Sequence, residues 1–200
     1  MRKHLGLIVA GMIAAASCGD GSGWTPAEKA VIDGPEVMYV CTMPADSAVL
    51  RAESVDISEK MLRSPELETL LSKLRKTVTD PSQDGVGIAA PQVGINRRIV
   101  CVQRFDKEGE PFECYVNIRI DSLLGETVRG REGCLSIPGK RGIVPRSSRI
   151  CIRYADLESA SPVEVTESVE GFTAVIFQHE CDHLDGILYT DRADSVYVAE

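Results

Sequence analysis

The sequence predicts an α+β domain, because its helical and strand-like segments are grouped along the chain rather than alternating. An amphipathic helical pattern covers residues 64–78, short segments rich in β-branched residues lie between residues 98 and 169, and a second helical pattern follows Gly171. The chain has 200 residues, of which 44% are hydrophobic and 26% are charged. These proportions are typical of one globular domain and exclude a disordered, collagen-like or coiled-coil chain.

The N-terminal segment has the composition of an export signal. A basic start precedes an apolar stretch over residues 5–16, which is too short to span a membrane, and small residues come before Cys18. The pattern resembles a bacterial lipoprotein signal, although Ala15 stands where such signals usually carry leucine. We therefore expect a membrane-anchored lipoprotein outside the cytoplasm, on the periplasmic side, held by a lipid on Cys18. A cytoplasmic protein with an apolar N-terminal helix is the alternative.

This interpretation divides the chain into three parts. Residues 1–17 are predicted to be the signal peptide, residues 18–36 a tether and residues 37–200 the folded domain. The formal net charge is -8 and the pI is near 5.0, which argues against nucleic acid as a partner, since phosphate binding needs clustered basic residues.

The first helix has clear start and end signals. Ser64 is placed to cap it and Pro65 to occupy its first position, and the polar, glycine-containing stretch 80–85 ends it. Its apolar residues recur at helical spacing: Leu67, Leu70, Leu71, Leu74 and Val78.

The strands and the last helix follow. Strands are predicted over residues 98–103, 112–118, 149–154 and 163–169. After Gly171, helical spacing places five side chains on one face, which we expect to be buried: Phe172, Val175, Ile176, His179 and His183.

Two of the three histidines in the chain belong to the segment His179-Glu180-Cys181-Asp182-His183. On a helix this spacing puts both imidazoles on one face, where they can bind one metal ion with Glu180 beside the open coordination position. Chance occurrence on a surface helix is the alternative. A third ligand is needed, and Cys134 in Glu132-Gly133-Cys134 is a candidate because it lies next to glycine and charge.

The other cysteines are expected to be mostly buried free thiols. Cys101, Cys114 and Cys151 lie inside strand-like segments, where cysteine behaves as a small hydrophobic residue. Cys134 itself has the same alternative. The sequence does not supply a disulfide pairing.

A glycine-spaced segment, Gly85 to Gly94, predicts a tight turn that another backbone approaches closely. It is not a dinucleotide-binding fingerprint. Together with Glu132 to Ser136 and Gln178 to His183, it resembles the three motifs of the peptide deformylases, in the family's order and with similar separations. The resemblance extends over about residues 37 to 192. It implies mixed or antiparallel sheets around a central metal-binding helix that carries an HExxH motif.

The resemblance also implies an activity: the metal-dependent hydrolysis of the N-formyl group of N-formylmethionyl peptides, with release of formate. One divalent ion, Fe²⁺ or Zn²⁺, would be bound by Cys134, His179 and His183. Glu180 would be the general base. The side chain of Gln92 and the backbone N–H of Leu135 would stabilise the developing oxyanion.

The same resemblance assigns substrate contacts. The backbone of Gly87 would pair with the peptide, because the missing Cβ permits its approach. Val86, Phe172 and Val175 would line the methionine pocket, with ordinary core packing as the alternative. Glu132 and Arg146 would form an ion pair that holds the metal loop, or else a solvated pair of little energetic value.

The C-terminal segment departs from the family. Many cytosolic members continue into a basic helix used at the ribosome, whereas here a short acidic segment follows Arg192. We therefore expect no docking on the ribosome, and we expect a monomer. Two other functions remain open: a zinc peptidase, and a tethered formyl-peptide-binding protein without turnover.

Overall fold

The structure is a computed structural model that describes residues 23–83, 85–158 and 163–199. The predicted signal peptide and Cys18 lie outside these residues. None of the helices in the described ranges combines the length and the hydropathy that a membrane span requires.

The helices are short except for two of 14 residues, α4 and α5. The Ser64 hydroxyl accepts a hydrogen bond from the Leu67 N–H at the start of α4, with Pro65 in the first turn, so this prediction is confirmed. The helices are α1 (Pro26–Ile32), α2 (Ser47–Leu50), α3 (Glu59–Leu62), α4 (Pro65–Val78), α5 (Gly171–Leu184) and α6 (Tyr189–Arg192), with a 3-10 helix at Ala90–Val93.

The strands form one antiparallel sheet in the order β1-β2-β3-β4-β5, with β6 paired to β4. The α+β prediction is therefore confirmed. The strands are β1 (Gly87–Ala89), β2 (Ile99–Gln103), β3 (Phe112–Cys134), β4 (Ile137–Asp156), β5 (Val163–Glu170) and β6 (Ser195–Val198).

Strand β2 is buried on both faces and separates α4 from α5. Ile99 and Cys101 belong to the apolar cluster that contains the α4 leucines, whereas Val100 and Val102 belong to the cluster that contains Phe177 of α5. This division follows from the two-residue period of a strand. Helix α5 therefore packs against one face of the sheet, and β1, the edge strand, lies beside α5.

The hairpin of β3 and β4 is much longer than the predicted strands at 112–118 and 149–154. Most of residues 121–131 are exposed, so this part of β3 lacks the apolar alternation that predicts a half-buried strand. Strand β3 nevertheless continues to Cys134, because its backbone pairs with β4 along this length with four register shifts. The acidic C-terminal segment adds β6 at Lys140 to Ile143.

The described part of the predicted tether is folded. Thr25 caps α1 in a capping box with Glu28, and Ile32 is fully buried. Lys73 of α4 donates hydrogen bonds to the carbonyl oxygens of Ile32 at 2.7 Å and Gly34 at 2.6 Å. These contacts attach α1 to α4.

Two cysteines predicted to be free are bonded to each other. Cys101 and Cys114 are directly opposite on β2 and β3, with Cα atoms 4.0 Å apart, and form a disulfide. The prediction for this pair was wrong because it depends on strand register, which the sequence alone does not reveal. Among the described residues four cysteines are free: Cys41, Cys134, Cys151 and Cys181.

Candidate metal centre and active site

Helix α5 brings His179, Glu180 and His183 to the centre of the molecule. Its residues from Ile176 to Leu184 are all buried. The two imidazole rings lie one turn apart with centroids 5.2 Å from each other. The predicted buried face is confirmed for Ile176, His179 and His183, whereas Val175 is half-buried and Phe172, near the start of the helix, is 54% exposed.

Cys134 lies at the end of β3, where the hairpin turns towards α5. Its Sγ is 3.2 Å from His183 Nε2 and 3.4 Å from the Ser136 backbone N–H. One ligand atom each from Cys134, His179 and His183 lies within 4.8 Å of the other two. The structure therefore brings together the three residues that the sequence analysis selected as ligands.

Glu132 orients His179. Its carboxylate lies 2.8 Å from His179 Nδ1, which leaves the other ring nitrogen of His179 available to a metal. Arg146 donates to the same carboxylate at 2.8 and 3.0 Å. The Glu132–Arg146 pair is thus buried rather than solvated.

A second carboxylate extends this network. Asp182 accepts hydrogen bonds from Arg146 at 2.6 Å and from Arg192 at 2.6 and 2.7 Å. It therefore connects α5 to β4 and α6.

Burial and neighbouring charges set the ionisation of the cluster. Burial raises the pKa of the Glu180 carboxyl to about 7. Burial also opposes the charged form of Glu132, but hydrogen bonds from His179 and Arg146 outweigh it and lower its pKa to about 2. For Cys134, burial raises the pKa of the thiol, yet His183 and His179 hold it well below its usual value. Cys134 thus favours the thiolate, which is the form that binds metals.

The glycine-spaced segment forms β1 and the turn after it. Gln92 is buried, accepts a hydrogen bond from the Ala89 N–H at 2.8 Å and points its Nε2 at Ser136 Oγ and Cys134 Sγ, 3.2 and 3.6 Å away. Its amide therefore lies beside the cysteine loop, which also carries Leu135, the other residue expected to stabilise the oxyanion.

Gly87 lies where β1 packs against α5. A Cβ at this position would lie 2.5 Å from Glu180 Oε1 and 2.8 Å from Ile176 Cγ2. Its missing side chain thus makes room for α5. The outer edge of β1 remains without a partner strand among the described residues.

A cleft of about 430 Å³ opens beside Glu180, His179 and Cys134. Val86 and Phe172 are 36% and 54% exposed and line it, together with Val175. Exposure towards the cleft favours the pocket interpretation of these three residues over core packing. Leu135 and Gln92 also line the cleft.

A family model described as polypeptide deformylase matches residues 37–198. The chain belongs to this family.

Curated relatives agree with the match. A peptide deformylase of Leptospira biflexa is 36% identical over 154 residues, which are 74% of this chain and 83% of that protein. A peptide deformylase of Desulforudis audaxviator is 42% identical over 134 residues, 67% of this chain and 82% of that protein.

Solved structures agree as well. A class I type b peptide deformylase of Acinetobacter baumannii bound to Met-Ala-Ser is 34% identical, with a TM-score of 0.67, covering 78% of this chain and 99% of that chain. A peptide deformylase of Synechococcus elongatus in complex with actinonin is 30% identical, with a TM-score of 0.68, covering 81% and 83% of the two chains.

The deformylase family assignment confirms the predicted activity: the chain is a hydrolase that removes N-formyl groups from peptides. A metal centre formed by Cys134, His179 and His183 is compatible with one ion. Sequence reasoning missed the roles of Ser136, Asp182 and Arg192. Ser136 stands within a motif, but nothing local indicates that Asp182 pairs with Arg146 and Arg192.

Proposed function

We propose that this deformylase acts on N-formylmethionyl peptides through one divalent metal ion held by Cys134, His179 and His183 on the α5 side of the cleft. The observation that carries the proposal is the convergence of a thiolate and two imidazoles beside a buried carboxylate, Glu180. The HExxH segment of α5 supplies two of the ligands and this carboxylate.

The residues present fit such an ion. One soft sulfur and two imidazole nitrogens suit Zn²⁺ or Fe²⁺, and three protein ligands leave a position open for catalysis. Glu180 Oε2 is buried without a hydrogen-bond partner among the described residues. When bound, the ion supplies a Lewis acid that makes water more acidic and polarises the formyl carbonyl group.

Glu180 moves the proton. Its carboxylate accepts a proton from water as the water oxygen adds to the formyl carbon. It returns that proton to the peptide nitrogen as the C–N bond breaks, so that formate and a free amine leave. Its unpartnered oxygen supports this role, because no other described group competes for it.

Gln92 and Leu135 stabilise the oxygen of the attacked formyl group. The Gln92 amide is held by the Ala89 N–H and by Ser136, so it donates from a fixed position. The backbone N–H of Leu135, next to Cys134, is the second donor. Donors placed in advance stabilise charge that develops only in the transition state.

The peptide extends along the free edge of β1. The backbone of Gly87 offers hydrogen bonds on the side that β2 leaves open. The methionine side chain enters the apolar part of the cleft at Val86, Phe172 and Val175.

We further propose that the enzyme is a lipoprotein anchored through Cys18 outside the cytoplasmic membrane. The basic and apolar N-terminal segment supports this location. The Cys101–Cys114 disulfide supports it too, because such bonds persist in oxidising compartments and are rare in the cytosol. Its substrates are then formylated peptides that have left the cytoplasm.

The test uses purified full-length protein with formyl-Met-Ala-Ser and, as a matched control, acetyl-Met-Ala-Ser. Formate release from the first peptide, with the Met-Ala and Ala-Ser bonds intact, supports the proposal. Cleavage of an internal bond would instead identify a zinc peptidase. Binding of the formyl peptide without formate release would identify a non-catalytic receptor.

A further inference from the structure

The cleft carries two arginines on the hairpin that ends at Cys134. Arg131 and Arg141 both line it. In the β3–β4 register Arg131 is opposite Ile143, so residues 131 and 141 project from the same face of the hairpin.

The guanidinium of Arg141 lies against the backbone of the metal loop. A Cβ on Gly133 would be 2.4 Å from Arg141 Nη1 and 2.6 Å from its Cζ. The Arg141 side chain occupies the space beside Gly133, which immediately precedes Cys134. Arg141 therefore lies beside the metal loop, and its Nη1 donates to the Lys140 carbonyl oxygen at 3.1 Å.

Neither arginine has a carboxylate partner among the described residues, although acidic residues outnumber basic residues by 30 to 22 in the whole chain. Two other arginines of the same hairpin are paired: Arg129 with Asp194 and Arg146 with Glu132. Among the described residues that line the cleft, these two arginines therefore provide positive charge that no carboxylate neutralises.

We propose that Arg131 and Arg141 bind a carboxylate of the substrate downstream of the formylmethionyl residue, which makes them specificity-determining residues. This inference rests on the proposed function. An extended peptide advances about 3.3 Å per residue, so its second and third residues leave the methionine pocket and pass along the hairpin. Guanidinium groups bind carboxylates through paired hydrogen bonds.

A peptide substrate has two possible sources of such a carboxylate. One is the C-terminal carboxylate of a short free formyl peptide, and the other is an acidic side chain within a longer chain. Four peptides distinguish them: formyl-Met-Ala-Ser as the free acid and as the C-terminal amide, and formyl-Met-Ala-Asp and formyl-Met-Ala-Asn, both as amides.

With full-length protein at low ionic strength, we expect kcat/KM to be about three- to tenfold higher for the carboxylate member of at least one pair. The modest size follows from the exposure of both arginines. High salt lowers this ratio, because exposed charges are screened. A preference within the acid and amide pair identifies the C-terminal carboxylate as the bound group, and a preference within the Asp and Asn pair identifies an acidic side chain.

Variants separate this contribution from the rest of the site. In the double variant Arg131→Gln/Arg141→Gln, the ratio of kcat/KM for the carboxylate peptide to kcat/KM for its neutral partner falls to about one. The control is Arg129→Gln, which changes an exposed arginine outside the cleft and keeps the wild-type ratio. Arg131→Glu reverses the charge preference, so that kcat/KM becomes higher for formyl-Met-Ala-Lys amide than for formyl-Met-Ala-Asp amide. Circular dichroism checks that each variant is folded.

Equal kcat/KM within both pairs, or a preference that survives in the double variant, overturns this inference alone. Absence of formate from all four peptides overturns the proposed function and this inference with it.

Discussion

Gly87 and Glu180 approach each other at the reactive centre, and the space between them depends on one missing side chain. A Cβ at position 87 would lie 2.5 Å from Glu180 Oε1, closer than a real contact permits. The carboxylate that moves the proton is thus positioned by packing against β1 as well as by its place on α5.

The Gly87→Ala variant tests this positioning. We expect a loss of about 1–3 kcal/mol in the free energy of unfolding, because α5 or β1 must shift. We also expect a fall in kcat of at least about tenfold, because misplaced catalytic groups lose rate steeply. The matched control is Gly130→Ala, since a Cβ there meets nothing within 4 Å. Denaturant unfolding and formate release measure both effects, and equal behaviour of the two variants would show that position 87 tolerates a side chain.

The Glu180→Gln variant tests the proton transfer itself. Glutamine keeps the size of the side chain and removes its basic oxygen, so turnover should fall by roughly 100- to 10,000-fold. Metal analysis should find the same ion content as in the wild type, because Cys134, His179 and His183 are unchanged. Full activity in this variant would remove Glu180 from the mechanism.

At the scale of elements, α1 is an addition that precedes the segment matched by the family model. It is attached through a buried arginine: Arg97 donates to Glu28 at 2.6 and 3.1 Å and lies over the Trp24 ring. The Trp24 indole also donates to Ser64, the capping residue of α4. Helix α1 therefore stabilises the start of α4.

The Glu28→Gln variant tests this attachment. At neutral pH we expect the free energy of unfolding to fall by about 1–3 kcal/mol, because the Arg97 charge stays buried without its partner. Burial opposes the charged form of Glu28, but Arg97 outweighs it and the net effect lowers the Glu28 pKa. The contribution is therefore complete above the pKa of the unfolded chain and is lost as pH falls through the folded value. The difference in the free energy of unfolding between wild type and variant should therefore shrink as the pH falls below the ordinary carboxyl pKa of about 4.3.

Thermal unfolding across pH 3 to 8 measures this difference. Glu36→Gln is the control, since Glu36 pairs with Lys76 on the exposed surface. If the difference in stability between wild type and Glu28→Gln is as large at pH 3 as at neutral pH, Glu28 is not the titrating partner of Arg97.

The disulfide between β2 and β3 gives the second prediction at this scale. Peptide mapping without reduction should recover the segments of Cys101 and Cys114 as one linked species. Cys114→Ser should release Cys101 for alkylation and lower the free energy of unfolding by about 2–3 kcal/mol, because a short loop is no longer closed. Cys151→Ser is the control, since it should leave the linkage intact. Alkylation of both Cys101 and Cys114 in wild-type protein that is unfolded without reduction would contradict the pairing.

At the scale of the whole molecule, the cellular compartment of the enzyme decides which formylated peptides it encounters. Lipid chains on Cys18 give stable anchoring when at least two are present, whereas one chain gives marginal binding. Membrane fractionation should find the wild type in the membrane pellet and Cys18→Ser in the soluble fraction. Wild-type protein in the cytosol with residues 1–17 still attached would overturn the anchoring proposal.

The sequence by itself determined the local features and the identity of the reactive groups. The Ser64 cap, the leucine spacing of α4 and the histidine spacing on α5 are short-range signals, and each predicts its element because it acts within one or two turns. Glycine and charge beside Cys134 made it a candidate for the third ligand, and the resemblance of the three ordered motifs to the deformylases implied that role. Those predictions therefore needed no knowledge of the fold.

Only the tertiary structure decided the contacts between distant segments. The pairing of Cys101 with Cys114 depends on strand register, and the full length of β3 depends on backbone pairing rather than on apolar alternation. The close approach of Gly87 to Glu180 depends on the packing of β1 against α5, and Arg131 and Arg141 both reach the cleft because the hairpin places them on one face. Such contacts are set by packing and register across many residues, and local sequence patterns do not encode them.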